Sequence, residues 1–513
     1  MLATLFSHAL FGLDGELVTV EVDIRHGMPG IDIVGLPDSS VREAKERVRV
    51  AIRNSGFGFP QERILVSLAP AGVRKGGAAF DLPIALGILN ASGQISLPAP
   101  NILILGELNL SGKVRPVHGV ISAVEAGLKA GFRYFLVPLE NISEAQILGQ
   151  GSVYGIEDLA QATVLLNSNF KSGLGPDHVL GFKQDEEPPL NCGDFKDLKG
   201  HLKLRRVLEI AVAGRHHLLL FGPPGSGKTM SVRRLPSILP ELALSEALEV
   251  TRIHSVAGLL KDGKLIRRPP FRMPHHSASL EGIIGGGRSC RPGEVSLAHR
   301  GVLFLDEAPE FRKGLLQALR EPIEQEIVTL VRAEQKLSFP SSFQLVLTAN
   351  PCPCGNLGRS EHICMCSHEE INRYWRRLGQ ALLDRIDLRL PVQPVPSYEL
   401  ALTKNESSAE ISQRIKKAVA IQQERYSQEK FSRNGQIPSG LLEKYCPLDE
   451  RLVQLLAQAA QKLSLSSRAF HSIIKIARTI ADLEASDKIN REHILEAIQY
   501  RRYGDDNFFW QQA

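Results

Sequence analysis

Residues 222–229 read GPPGSGKT and match the pattern G-x-x-x-x-G-K-[ST] in full. The segment follows an apolar run that ends at Phe221 and precedes a stretch suited to a helix. In such a turn the glycines let backbone N–H groups approach phosphates, the lysine reaches phosphate oxygens and the threonine ligates Mg²⁺. The sequence therefore predicts an α/β nucleotide-binding domain that uses ATP and Mg²⁺. The residues assigned to the nucleotide are Gly222, Pro223, Pro224, Gly225, Ser226, Gly227, Lys228 and Thr229, the last also to Mg²⁺.

The chain has 513 residues, which is long enough for several cores. Its 43% hydrophobic and 23% charged residues are typical of globular proteins. Charged residues interrupt every apolar run before the roughly 20 residues that cross a bilayer, and the N-terminus lacks the basic and cleavage features of a signal peptide. Seven cysteines suit a reducing compartment. We expect a cytoplasmic protein that makes no use of a membrane.

The pattern of apolar runs divides the chain into four parts. Residues 1–165 alternate strand and helix patterns, which predicts a separate α/β domain, and residues 166–190 read as a polar linker. Residues 191–395 hold the nucleotide-binding α/β domain. In residues 396–513 the strand patterns stop, which predicts a helical C-terminal lid.

Polar residues end two further strand patterns. The run GVLFLDEAPEF carries Asp306 and Glu307, which suit a Mg²⁺ ligand and the general base that orients the attacking water. The run FQLVLTAN ends at Asn350, a candidate sensor of the terminal phosphate that is equally typical of a turn before Pro351. The sequence predicts that these side chains meet at the nucleotide.

Two arginines are candidates for completing the site. In a ring of subunits Arg385 would enter a neighbour's site and neutralise charge in the transition state, although an ion pair with Asp384 or Asp387 explains it equally well. Arg468 lies where a helix of the C-terminal domain begins, and we expect it to contact the same nucleotide from the lid.

Four cysteines lie together in the segment CPCGNLGRSEHICMC. Two C-x-C pairs in one loop are able to close a tetrahedral zinc site, which would fold a loop too small to have a core. Free thiols are the alternative. The predicted Zn²⁺ ligands are Cys352, Cys354, Cys364 and Cys366.

Positive charge is concentrated between residues 261 and 300, where eight Lys or Arg face three acids. Such a segment would bind a phosphate backbone without reading sequence. A predicted hairpin over residues 326–339 adds two basic residues near its turn. Solvated basic faces are the alternative. The candidate DNA contacts are Arg267, Arg268, Arg272, Arg332 and Lys336.

The chain contains the motifs FRMPHHSAS, PGEVSLAHRGVLFLDEAPEF, NPCPCG, LLDRIDL and ARTIADLE. These five motifs closely resemble those of the Mg-chelatase-like AAA+ ATPases, specifically the ComM/YifB family. The resemblance covers nearly the whole chain. It implies a Walker B pair (Asp306, Glu307), a sensor 1 (Asn350), an arginine finger (Arg385) and a sensor 2 (Arg468). It also implies homo-hexameric rings in which the basic segment 261–300 faces the central pore, with recombination proteins as partners. The implied activity is that of a helicase that promotes branch migration of branched, single- or double-stranded DNA during natural transformation. A protein-remodelling or magnesium-chelatase-type motor without nucleic acid is the alternative.

Residues 75–86 and 106–141 resemble the Lon protease domain. The resemblance places the family's nucleophilic serine at Ala79 and its catalytic lysine at Ile121. Neither side chain supplies a nucleophile or an amine, so we expect an α/β domain without proteolytic activity.

Overall fold

The computed structural model describes residues 2–72, 75, 77, 79–97, 101–170, 192–260, 262–287, 290–332, 335–359, 362–395 and 405–501. The chain divides into two compact units. The first is drawn from residues 1–187, 244–266 and 329–339, and the second from residues 188–243, 267–328 and 340–513. Two stretches of the predicted nucleotide-binding domain, 244–266 and 329–339, therefore pack with the N-terminal residues.

The first unit is built on a mixed sheet of seven strands in the order β3-β4-β2-β1-β5-β8-β9. A two-residue pair, β6 and β7, lies apart from it. The strands are β1 (Leu2–Phe11), β2 (Asp14–Arg25), β3 (Gly30–Val34), β4 (Arg63–Ala69), β5 (Ile102–Ile104), β6 (Glu107–Leu108), β7 (Val114–Arg115), β8 (Tyr134–Pro138) and β9 (Ser152–Ile156). The helices are Ser39–Asn54, Asp81–Ala91, Val120–Lys129, Ile142–Ala145, Leu159–Asn167 and Leu244–Val256.

The alternation of apolar residues along β2 explains how this sheet is covered. Val18, Val20 and Val22 are fully buried, while the residues between them are partly exposed. Side chains two apart share one face of a strand, so the valines form an apolar face on which the helix Asp81–Ala91 packs. Asp81 is buried there and is paired with Arg47 over 2.9 Å.

Helix Leu244–Val256 is held in the first unit by polar contacts. Arg252 forms ion pairs with Asp14 and with Glu125, the latter over 3.1 Å. Gly258, just beyond the helix, has φ +72° and lies so close to His118 that a Cβ would come within 2.6 Å of that ring. Glycine at this position therefore allows the close approach.

Hydrocarbon side chains occupy the two positions that correspond to the catalytic serine and lysine of the Lon protease domain. Ile121 is fully buried in the helix Val120–Lys129, and Ala79 packs against an apolar cluster that includes Val120 and Val124. Neither side chain is able to attack a carbonyl or accept a proton.

The second unit has a five-stranded parallel sheet in the order β11-β14-β17-β10-β18. One short pair, β12-β13, accompanies it, whereas the pair β15-β16 lies mostly within residues 329–339 of the first unit. The strands are β10 (Leu218–Phe221), β11 (Phe271–Arg272), β12 (Gly285–Gly286), β13 (Arg291–Pro292), β14 (Val302–Leu305), β15 (Ile327–Arg332), β16 (Gln335–Pro340), β17 (Gln344–Ala349) and β18 (Leu388–Pro391). Every residue of β10, β14 and β17 is buried, as expected for a parallel sheet covered on both faces.

The helices up to residue 395 in this unit are short except for the first. They are Leu202–Gly214, Lys228–Val232, Leu280–Ile284, Glu294–Leu297, Lys313–Ala318, Arg320–Gln325, His368–Trp375 and Gln380–Leu383.

Beyond residue 404 the described elements are helical, which confirms the predicted helical C-terminal region. They are Ser408–Arg425, Leu442–Tyr445, Glu450–Lys462, Ser467–Leu483 and Arg491–Arg501. The helix Ser467–Leu483 packs on Leu202–Gly214, and buried Asp482 pairs with both Arg425 and Arg478 at 2.6 and 2.8 Å. In the described part of the chain, none of the helices combines the length and apolarity needed to span a bilayer.

Candidate nucleotide-binding site

Three adjacent strands place the predicted catalytic residues at one edge of the sheet. The phosphate loop follows β10, Asp306 follows β14, and Asn350 follows β17, which lies between those two strands. Because parallel strands end at the same edge, the three segments converge. The structure thus brings these three motifs close together, as the sequence predicts.

The phosphate loop is closed on itself by its lysine. Lys228 Nζ donates to the carbonyl oxygens of Gly222 and Pro223 at 2.6 and 2.9 Å, and Ser226 Oγ donates to Pro223 at 2.8 Å. Burial lowers the pKa of Lys228 to about 8, against the opposing charges of Asp306 and Glu307. Gly225 and Gly227 have φ of +81° and +82°, a conformation that favours glycine.

Asp306 is the centre of a hydrogen-bonded group. Thr229 Oγ1 donates to Asp306 Oδ1 at 2.9 Å, and Thr348 Oγ1 donates to the same oxygen at 2.6 Å. Thr348 also accepts from the backbone N–H of Glu307 at 2.9 Å. Thr229 and Asp306 are the residue types that hold Mg²⁺ in P-loop proteins, and here they are in contact.

Glu307 lies beside the candidate sensor. Asn350 Nδ2 is 3.5 Å from Glu307 Oε1, so the amide and the proposed base share one small region. Glu307 has φ +51°, a left-handed conformation that a non-glycine residue adopts at a cost of order 1–3 kcal/mol. The turn that aims this carboxylate is therefore strained, as is common at functional sites.

Arg385 and Arg468 are brought together, but at the opposite edge of the sheet. Both pair with Glu324, Arg468 over 3.1 Å. Arg385 precedes β18, whose first residue Leu388 is in register with the first residue of β10, whereas the phosphate loop follows the last. Arg468 thus pairs with Glu324 at this edge, whereas the sequence prediction places it at the nucleotide bound by its own chain. The described ion pair of Arg385 is also with Glu324.

A cleft of about 830 Å³ surrounds these arginines. Its lining includes Arg215, Glu324, His471 and Lys475. Although burial opposes it, the hydrogen bond from Arg468 and the charge of Arg385 hold the pKa of Glu324 below its ordinary value. The cleft thus contains several cations together with three carboxylates, those of Glu324, Glu326 and Asp387.

The four clustered cysteines have their sulfur atoms within 4.8 Å of one another. Cys352 Sγ lies 3.4 Å from Cys354 Sγ and 3.6 Å from Cys364 Sγ. Sulfur atoms around tetrahedral zinc are about 3.8 Å apart, since each Zn–S bond is about 2.3 Å. A backbone N–H of Asn356 lowers the pKa of Cys354 to about 7, which favours the thiolate that binds metal. The arrangement fits a zinc ion; Cys366 completes the set.

The candidate DNA contacts differ in solvent exposure and in whether they form ion pairs. Arg267 and Lys336 are exposed, and Arg268 is half-buried. Arg272 instead forms a two-pronged ion pair with Glu294 at 2.6 and 2.7 Å, which neutralises its charge and removes it as a free contact for phosphate. The side chain of Arg332 and the basic residues Lys261 and Arg288 lie outside the described part of the chain.

Sequence reasoning missed two residues of this region, Thr348 and Glu324. A threonine inside a strand is ordinary for its β propensity, so Thr348 carries no signal unless its register beside Asp306 is known. Glu324 lies on the short helix Arg320–Gln325, and its pairing with arginines more than 60 residues away depends on the fold.

The parallel sheet, the phosphate loop after β10 and the acids after β14 define a P-loop nucleotide-binding protein of the AAA+ class. Three family models match most of the chain: magnesium chelatase subunit ChlI over residues 194–400, subunit ChlI of Mg-chelatase over 20–141, and the ChlI C-terminal region over 405–501. Together with the relatives described next, these matches show that the chain belongs to the Mg-chelatase-like ComM/YifB family.

Relatives that align over nearly the full length of this chain have about 40% of their residues identical to it. The YifB protein of Salmonella typhimurium is 40% identical over 505 residues, which are 98% of this chain and 97% of that protein. Competence protein ComM of Haemophilus influenzae is 40% identical over 508 residues, with the same shares. Lon protease 2 of Bacillus subtilis is 27% identical over 166 residues, 29% of each chain. The resemblance inferred from the motifs is confirmed.

Proposed function

We propose that this protein is an ATP-driven DNA translocase that acts in the cytoplasm as a homo-hexamer and promotes branch migration during recombination in natural transformation. The observation that carries the ATPase part is the contact group at the carboxyl edge of the sheet, where Thr229 and Thr348 both donate to Asp306. Glu307 follows Asp306 in the chain, and Asn350 Nδ2 lies 3.5 Å from Glu307 Oε1.

In this proposal the residues divide the work of hydrolysis. Lys228 and the backbone of the phosphate loop would hold the phosphates. Thr229 and Asp306 would hold Mg²⁺, and that ion would neutralise negative charge on the phosphates. Glu307 accepts a hydrogen bond from the attacking water and orients it, and Asn350 holds that carboxylate in place.

Arg385 and Arg468 support an assembly of several subunits. Both lie at the amino edge of their own sheet, away from their own phosphate loop, and share Glu324 as partner. Cations held in this way are available to a nucleotide bound by a neighbouring subunit, where they would stabilise transition-state charge. The hexameric number is taken from the family resemblance.

DNA is proposed as the substrate on two grounds. The relative from Haemophilus influenzae is named a competence protein, and the chain exposes Arg267 and Lys336 in segments outside the catalytic strands. Such cations would contact a phosphate backbone without sequence preference and with steep salt dependence. Arg268 is kept as a contact, and recombination proteins are proposed as partners.

The experiment is ATP hydrolysis and strand exchange on a synthetic four-way junction. We expect the junction to accelerate hydrolysis and the branch point to move only with ATP and Mg²⁺. Changing Arg267 and Arg268 together to glutamate should weaken DNA binding and flatten its salt dependence, whereas Arg451→Glu, an exposed arginine of the C-terminal helices, should not. DNA that neither binds nor stimulates would contradict the proposal.

A second candidate follows from the family models, which carry the name of a magnesium chelatase subunit. A chelatase-type or protein-remodelling motor would use the same ATP site without nucleic acid. ATP hydrolysis that responds to protein partners and not to DNA would favour it.

The cysteine cluster is proposed to bind one structural zinc ion through Cys352, Cys354, Cys364 and Cys366. Two observations support this proposal. The four sulfur atoms all lie within 4.8 Å of one another, and none of the described cysteines forms a disulfide. A metal at this place would stiffen the loop that directly follows Asn350.

A further inference from the structure

The cysteine loop, described over residues 351–359 and 362–366, contacts the phosphate loop through Gly355 and Arg359. Gly355 is buried, and a Cβ there would come within 2.9 Å of Pro224 Cγ, so glycine permits the contact. At the start of the loop, the indole N–H of Trp375 donates to the carbonyl of Pro351 at 3.1 Å, and the Trp375 ring meets Phe221 edge to face at 5.9 Å. The loop is therefore braced against the strand that leads into the phosphate loop.

Arg359 extends from this loop towards the same turn. Its Nη2 donates to the carbonyl oxygen of Pro224 at 2.9 Å and lies 3.9 Å from the position of a Cβ on Gly225. Guanidinium has five N–H donors, and among the described residues this is the hydrogen bond its side chain makes. The charge of Arg359 also acts on Lys228, adding to the burial that lowers the pKa of that amine.

The charges around the phosphate loop explain why a second cation is useful. Lys228 faces Asp306 and Glu307, so these three groups together carry net negative charge. Even with the Mg²⁺ ion proposed at Asp306, the positive charge at the site would be smaller than the negative charge of ATP, so another cation would strengthen binding. Among the described residues, Arg359 supplies such a cation, since its guanidinium donates to the phosphate loop.

We propose that Arg359 contacts the terminal phosphate of the nucleotide bound by its own chain, and that the cysteine loop holds it in position. The proposal rests on the proposed function only in requiring that the chain binds ATP. It gives the cysteine loop a role in nucleotide selection, since a contact with the terminal phosphate distinguishes ATP from ADP.

The test compares ATP and ADP binding by calorimetry, with Mg²⁺ present and with Glu307→Gln in every sample to prevent hydrolysis. Arg359→Ala should weaken ATP binding about tenfold and change ADP binding less than about twofold. Arg359→Lys, which keeps the charge, should recover part of the loss. Arg376→Ala removes an exposed arginine nearby and should change neither affinity.

Equal weakening of ATP and ADP would overturn the proposal, because it would show that Arg359 only shapes the phosphate loop. Unchanged affinity for both nucleotides would overturn it as well. Gly355→Ala offers a second route, since it forces the loops apart while keeping the guanidinium, and should also reduce ATP affinity more than ADP affinity. A parent protein that binds neither nucleotide would contradict the proposed function itself, a result distinct from those above.

Discussion

Thr348 donates a hydrogen bond to Asp306 over 2.6 Å, which ties the middle strand of the site to the acid at the end of its neighbour. The same hydroxyl accepts the backbone N–H of Glu307. One side chain thus fixes both the proposed Mg²⁺ ligand and the turn that carries the proposed base.

Thr348→Val keeps the shape of the side chain and removes its hydroxyl. We expect ATP turnover to fall about tenfold and the Mg²⁺ concentration for half-maximal activity to rise, because Asp306 loses a donor and the Glu307 N–H loses its acceptor. Thr348→Ser should keep most of the activity. Parental turnover in Thr348→Val, measured at saturating ATP, would show that the hydroxyl is dispensable.

ATP affinity should depend on pH through Lys228. Its pKa is lowered by burial to about 8, and phosphate binding favours the charged amine. The amine is charged below pH 8 and neutral above it, so affinity should be full below pH 8 and fall as pH rises towards 9.5. Calorimetry in buffers of different ionisation enthalpy should show proton uptake on ATP binding near pH 8.5. Binding without proton uptake at that pH would contradict the assignment.

Mixed assemblies test whether Arg385 serves a neighbour. Lys228→Ala and Arg385→Ala should each abolish most ATP hydrolysis, whereas co-expression of the two chains should restore some. Activity returns because certain interfaces then combine an intact phosphate loop from one chain with an intact arginine from the other. As a control, Lys228→Ala is co-expressed with a chain that carries both Lys228→Ala and Arg385→Ala. These assemblies contain no intact phosphate loop and should stay inactive. Mixed assemblies without recovered activity would place the arginine's role elsewhere.

Metal removal tests the cysteine cluster. The purified protein should contain about one zinc ion per chain, and Cys364→Ser with Cys366→Ser should lose it and unfold at a lower temperature. The scattered cysteines Cys192 and Cys290, changed to serine, serve as the control and should keep the metal. Metal-free parent protein of full stability would end this proposal.

The candidate residues that the structure brings together lie in segments that follow the ends of parallel strands. Lys228, Asp306 and Asn350 each follow a continuous apolar run, and parallel strands bring such ends together whatever the loops between them do. Local pattern was therefore sufficient for the carboxyl edge of the sheet and for the α/β class with a helical C-terminal region.

Contacts that depend on packing between distant segments were not predictable in the same way. The location of Arg468 beside Glu324 follows from how the helix Ser467–Leu483 packs, and nothing local in the sequence marks it. The sequence also does not reveal that Arg272, a candidate DNA contact, forms an ion pair with Glu294. Likewise, residues 244–266 join the first unit through contacts such as Arg252 with Glu125.

The most direct test of the account is the rate of ATP hydrolysis by the purified protein with Mg²⁺ and a four-way DNA junction, compared between the parent and Glu307→Gln. We expect the parent to hydrolyse ATP faster with the junction than without it, and Glu307→Gln to bind ATP while hydrolysing it at least about a hundredfold more slowly. A parent that hydrolyses no ATP, or a Glu307→Gln variant with the parental rate, would contradict the central claim.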